Sequence, residues 1–98
     1  MTLEVKLRPE AEEDLADATV WYEAQHQGLG QEFLDHALSA FESIAERPNM
    51  YPTVHRSTRR VLIHRFPFGT YYRIETESIV VVAVMHGSRN PRLWKERT

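Results

Sequence analysis

The sequence predicts an α+β domain in which a helical hairpin covers one face of a small, mainly antiparallel, four-stranded sheet, in the order β-α-α-β-β-β. Three observations predict it. Two long stretches between residues 9 and 47 carry apolar residues at helical spacing, with only Gly28-Leu29-Gly30 between them. Residues 60–76 instead alternate apolar and polar side chains in runs broken by Pro and Gly. The run Ile79 to Met85 is apolar throughout, as expected of a central strand buried on both faces.

Each element follows in order. Thr2 to Leu7 alternates Leu3, Val5 and Leu7 with polar neighbours and reads as a first strand. Arg8-Pro9 ends it, and Pro9 suits the first helical position. Glu10, Glu12, Glu13 and Asp14 then favour the positive end of the helix dipole. Ala11, Leu15, Ala18 and Tyr22 form one helical face, and the helix ends near residues 25–27. A second helix opens at Leu29-Gly30, carries Phe33, Leu34, Ala37, Leu38, Phe41, Ile44 and Ala45, and stops at Pro48. So short a link implies an antiparallel hairpin. Residues 48–58 hold two prolines and read as a loop. Arg60 to Phe66 is a strand, Pro67-Phe68-Gly69 a turn, Thr70 to Thr76 a strand, Glu77-Ser78 a turn, and Ile79 to His86 the last strand. The three final strands form a meander, and the first joins an edge or neighbours the last. Gly87 to Thr98 is an arm with a helical turn from Pro91.

With 98 residues, one domain spanning 1–98 is expected. The chain has no cysteine, so disulfide and Cys-zinc frameworks are excluded. No opening segment has the form of a signal peptide and no run is long enough to span a bilayer, so a cytoplasmic protein without membrane contact is expected. Residues 1–50 carry three Lys/Arg against eleven Asp/Glu, a net of −8. Residues 51–98 carry nine against three, a net of +6. This split suggests an acidic face and a basic face, the latter open to nucleic acid or an acidic protein. The alternative is that the halves partly neutralise each other within the fold.

Candidate chemistry is sparse. Gly28 and Gly30 follow no strand and precede no Lys-Ser/Thr, so they are helix punctuation and not a phosphate loop. The five His form no close i, i+4 pair, and neither a metal nor a cofactor is expected. His64 reads as a satisfied, half-buried group. There is no Gly-x-Ser-x-Gly. Arg59, Arg60, Arg65 and Arg73 fall on the second and third strands and, with Arg89, Arg92, Lys95 and Arg97, could converge on one side of the sheet. Arginine forks suit phosphate or carboxylate, although strand arginines also simply face solvent and pair with helix carboxylates. Trp21-Tyr22 reads as core, with Tyr22 on the apolar stripe and Trp21 at its margin. Trp94 either packs back and pins the arm or stands out as an anchor for a partner.

Taken in order, the leading strand, RPEAEEDLADATVWYEAQHQGLGQEF, PNMYP, RRVLIHRFPFGTYYRI and VVVAVMHGSRNPRLWKER resemble the RelE/ParE superfamily of type II toxin–antitoxin toxins, most of all its ParE-like plasmid stabilisation branch. HGSRNPRLW is similar to that branch's His-x-x-Arg-x-Pro-x-x-Trp exit. The resemblance implies a small toxin neutralised by a cognate ParD- or RelB-like antitoxin, whose acidic tail folds as it binds. It implies a target too: DNA gyrase, inhibited by protein contact, or, for RelE-like members, mRNA cut on the ribosome. No direct sequence-specific DNA binding by the toxin alone is expected. The mRNA-cutting branch usually carries an Arg early in the third strand, and here none occurs before Arg73; that branch often ends in Tyr, and here none follows Tyr72. The gyrase reading is therefore preferred, with Arg59, Arg60, Arg65, Arg73, His86, Arg89 and Trp94 as partner-binding residues. In the alternative, His86 serves as general acid or base with Arg89 and Arg73, or Arg65, on the phosphate. A third possibility is a non-toxic member that only binds antitoxin.

Overall fold

The structure, a computed structural model, describes residues 3–98. Thr2, the expected first residue of the first strand, lies outside them. The elements are β1 (Glu4–Leu7), α1 (Pro9–Gln25), α2 (Leu29–Glu46), β2 (Thr53–His55), β3 (Thr58–Leu62), β4 (Phe68–Ile74), β5 (Ser78–His86) and α3 (Arg92–Lys95). The sheet order is β1-β5-β4-β3-β2; β1 runs parallel to β5 and the other pairs are antiparallel. The α+β class and the covering hairpin are as the sequence predicts.

Pro9 opens α1, with Glu10 and Glu12 in its first turn. Ala11 and Ala18 are buried, and Leu15 and Tyr22 pack beside them, which is the face the sequence indicates. Gly28 turns the chain at φ 89°, in the left-handed region open to glycine. At Gly30 the helices meet so closely that a Cβ would lie 2.7 Å from the Thr19 carbonyl oxygen and 2.9 Å from Glu23 Cβ. The Glu23 carboxylate accepts the Gly28 and Gly30 N–H groups at 3.0–3.1 Å and so satisfies donors that the start of α2 would leave open. α2 buries Phe33, Ala37, Ala40, Phe41, Ile44 and Ala45. Leu38, expected on this face, is exposed instead, because it lies about 100° round the helix from Ala37.

The sheet has five strands where four were expected. The addition is β2, three residues inside the expected loop, paired to β3 through Thr53–Arg59 and His55–Thr58. It is too short to show an alternation. β3 spans Thr58–Leu62 and not Arg60 to Phe66. The chain leaves the sheet at Ile63, whose N–H donates to Phe68 O, and Arg65 adopts φ 70° in the turn. The polar–apolar alternation of that turn imitated a strand. Phe68, expected in the turn, is the first residue of β4. The β4–β5 hairpin closes where Glu75 N–H donates to Ser78 O, one residue earlier than expected.

β5 lies between β1 and β4 and is buried on both sides, as its composition requires. Ile79, Val81 and Val84 join Phe33, Ile44 and Tyr72 beneath the helices. Val82, Ala83 and Met85 join Tyr71 and Trp94 on the outer face. The register passes from Tyr72–Val81 to Tyr71–Ala83, so Val82 is an extra residue and the strand is bulged. The C-terminal arm crosses the outer face. There Trp94 is 6% exposed and stacks on Tyr71 with ring centroids 4.4 Å apart. Arg97 holds the arm down by donating to Asp14 Oδ2 at 2.6 Å and to Val82 O at 3.1 Å.

Two predictions follow from this packing. Gly30→Ala forces α2 away from Thr19 and Glu23 of α1 and should cost about 1–3 kcal/mol, the usual range for overpacking; thermal unfolding of the variant reads this as a lower Tm. The second concerns Tyr72, whose hydroxyl donates to Pro48 O at 2.6 Å. Burial pushes its phenol up to about 12, against a smaller opposing pull from the Arg59 guanidinium. The folded state thus holds this proton more tightly than the unfolded chain. Its contribution is complete below about pH 10 and is lost as pH rises towards 12. Denaturant unfolding across that window should show falling stability, with a shallower fall in Tyr72→Phe; Tyr22, also raised by burial, accounts for part of what remains.

Candidate functional site

The C-terminal end of β5 is where the sequence concentrates its polar and aromatic groups, and the local backbone positions them. Phe68 is paired with His86 across the ladder, their rings 5.4 Å apart and edge to face. Because β5 is bulged, His86 shares the helix side of the sheet with Phe68 and not the outer side with Tyr71. Gly87 N–H donates to Pro67 O, and Arg89 N–H donates to His86 O, so the chain turns sharply after the strand.

Within that turn Ser88 fixes the imidazole. Its N–H donates to His86 Nδ1 at 3.0 Å, and its hydroxyl lies 2.8 Å from the same atom. A backbone amide can only donate, so Nδ1 is an acceptor and the proton of the neutral ring resides on Nε2. His86 therefore offers an N–H donor at its free edge.

His86 forms one wall of an apolar cleft of about 450 Å³ lined also by Ala18, Trp21, Tyr22, Pro67 and Phe68. Asp14, Asp17 and Arg89 lie at the contiguous mouth. Trp21 is 58% exposed and meets Tyr22 edge-on at 5.1 Å. The expectation that Trp21 belongs to the core is thus corrected: Tyr22 takes the packed position, and the neighbouring indole, about 100° round the helix, faces the cleft.

The remaining sequence-derived residues divide between two faces. Arg59 is opposite Tyr72 on the helix side and donates to the carbonyls of Asn49 and Tyr51, fastening the loop before β2. Arg60 is opposite Tyr71 on the outer face, its stem against Gly69. Arg73 is also outward and reaches Thr98 O and Glu75, each at 3.5 Å. Arg65 lies in the β3–β4 turn and not on a strand. His64, expected to be half-buried, is exposed in the same turn, 5.5 Å from the His36 ring. Trp94 takes the packing position of its two alternatives. The arginines therefore do not converge on one side: Arg60 and Arg73 share the outer face with the arm, while His86 and Arg89 open beside α1.

Charge follows the same layering. The acidic first half supplies β1 and both helices, and the basic second half supplies the rest of the sheet and the arm. Among the described residues one ion pair, Asp14–Arg97, joins the halves. Internal neutralisation is therefore slight. Two contributors were missed at the sequence level. Asp14 was read only as a dipole-favouring acid, and Trp21 only as the margin of the core. Trp21 leaves a trace in its exposed neighbour Val20, since two large apolar residues off the buried stripe form a second face.

Solved structures share this arrangement. The chromosomal ParDE toxin–antitoxin system from P. aeruginosa matches with a TM-score of 0.75 at 16% identity, over 87% of this chain and 96% of that one. The toxin–antitoxin complex RelBE2 from Mycobacterium tuberculosis matches with a TM-score of 0.63 at 19% identity, over 88% of this chain and 99% of that one. No curated protein matches the chain. The family model of the ParE toxin of type II toxin–antitoxin system, parDE, matches residues 5–91, a span that runs from β1 through the His86–Arg89 turn to Pro91. The chain belongs to the ParE family of type II toxin–antitoxin toxins.

Proposed function

We propose that this toxin poisons DNA gyrase by protein contact, that a cognate antitoxin with an acidic tail silences it, and that it acts in the cytoplasm. The observation that carries the choice of docking over chemistry is the separation of the groups RNA cleavage would need. His86 and Arg89 open beside α1, while Arg73 lies on the opposite face of the sheet, held at Thr98 and Glu75. The hydrogen bonding of His86 speaks against one of the two catalytic roles, that of general base. A general base would need its lone pair on the free nitrogen, and the Ser88 amide holds it on Nδ1. A donor edge beside an apolar cleft serves recognition instead. The antitoxin partner is supported by the solved structures of like fold, which are a ParDE system and a RelBE2 complex. The basic sheet-and-arm layer suits an acidic segment. No helix among the described residues is long and apolar enough to cross a membrane.

The test uses purified, antitoxin-free protein with gyrase and relaxed plasmid. Dose-dependent loss of supercoiling with accumulation of linearised plasmid is expected. Intact gyrase activity alongside arrested coupled translation would move the target to the ribosome and overturn the proposal.

One substitution separates the two mechanisms further. Glutamine can donate a hydrogen bond but cannot transfer a proton near neutrality, so His86→Gln should keep gyrase poisoning within about tenfold, or roughly 1.4 kcal/mol. Loss of toxicity by a factor of about a hundred or more, the scale of a missing acid–base group, would favour cleavage chemistry. Circular dichroism of the variant checks that the fold is retained.

A further inference from the structure

The cleft beside α1 has walls of known chemistry and a defined polar edge, and together these specify an occupant. Tyr22, Phe68 and His86 form a chain of rings, with centroids 5.9 Å apart for the first pair and 5.4 Å for the second. Trp21 extends it at 5.1 Å from Tyr22. An incoming ring would extend this series of tilted and edge-to-face contacts, the latter an arrangement aromatic pairs prefer. The volume of about 450 Å³ sits towards the small end of ligand sites, which suits one ring and its flanking chain. α1 leaves Trp21 and its neighbour Val20, 69% exposed, in water at this edge. Exposed apolar groups of this size beside a preformed cleft mark a contact surface.

The polar edge narrows the choice. With Nδ1 occupied by Ser88, Nε2–H is the donor His86 has left for an occupant of the cleft it lines, so that occupant must bring an acceptor. Arg89 stands at the mouth and, among the described residues, pairs with no carboxylate. Asp14 is consumed by Arg97 and by the Val84 N–H, which leaves Asp17 as the one other charge there. A carboxylate answers both the imidazole donor and the guanidinium, and charge-assisted bonds of this kind are the stronger class. We propose that the cleft receives an aromatic side chain of a partner polypeptide, with a carboxylate beside that ring bound by His86 and Arg89. The proposal rests on the exit being a docking surface.

Titration of the ¹⁵N-labelled full chain tests it, with three blocked dipeptides as probes: acetyl-phenylalanyl-glutamate amide, its glutamine counterpart and its alanyl-glutamate counterpart. The first should shift the Trp21 indole N–H and the Ser88 amide while leaving the Trp94 indole, on the other face, in place. The glutamine probe should bind about fivefold more weakly, a difference of about 1 kcal/mol, and both His86→Ala and Arg89→Ala should erase that difference. Equal affinity of the acid and its amide, or no movement of Trp21, would overturn the proposal. So would alanyl-glutamate reproducing the shifts, which means an adventitious anion only, or shifts that depend on protein concentration without any probe, which places a second copy in the cleft. The gyrase assay reads the target and this titration reads the cleft, so either reading can fail alone.

Discussion

The fold depends on a single carboxylate. β1 stops at Leu7, opposite Val81, and Arg8 N–H takes the Val81 carbonyl as the last backbone bond on that side. Beyond it the edge of β5 has no strand to pair with among the described residues. Asp14, one turn and a half into α1, reaches back and accepts the Val84 N–H at 3.0 Å. The same oxygen receives Arg97, whose guanidinium also donates to Val82 O. One side chain thus closes an open sheet edge, fixes the tilt of α1 and anchors the C-terminal arm. Arg8 completes the clasp by donating to Arg97 O at 2.8 Å. An unmet amide or a half-buried unpaired guanidinium at this junction would cost about 1–3 kcal/mol each, so the contacts stand or fall together.

That clasp explains why the molecule presents two unlike surfaces. It draws the arm across the outer face, where Trp94 covers Tyr71 beside His55 and Lys95, and where Arg60 and Arg73 also lie. It also leaves the end of β5 beyond Val84 uncovered beside α1, where His86 and the exposed Trp21 border the cleft. The acidic layer and the basic layer meet through Asp14 and Arg97 and otherwise remain distinct. A partner therefore encounters either a cationic plate or an aromatic notch, depending on its direction of approach.

Much of this was legible in the residues. Helical periodicity gave both helices and the buried stripe of α1, and the unbroken apolar run gave a central strand. Failures have local causes. β2 is three residues long and its pairing is irregular, so no pattern could announce it. Residues 62–66 alternate like a strand, yet Arg65 adopts a left-handed conformation that only the closure of the turn explains. The site was legible as a list and not as a geometry. Residue types identified His86, Arg89 and Trp94 as notable, but which face each occupies depends on register. Arg59 shows the same limit: one position from Arg60, it spends its guanidinium on loop carbonyls.

The extra residue at Val82 has a consequence beyond the local ladder. In an unbroken alternation from Ile79, position 86 would fall on the outer face, alongside Tyr71 and Arg73. The bulge reverses that parity for everything after it. A histidine that would have stood among the outer arginines stands instead in an apolar notch. The bulge absorbs one residue of strand length: seven steps from Ile79 to His86 face six from Ile74 to Phe68, and His86 still comes to rest opposite Phe68. A codon deleted at position 82 would remove the bulge and leave every exit residue on its present face, so the terminal motif tolerates this change of strand length without losing its surroundings.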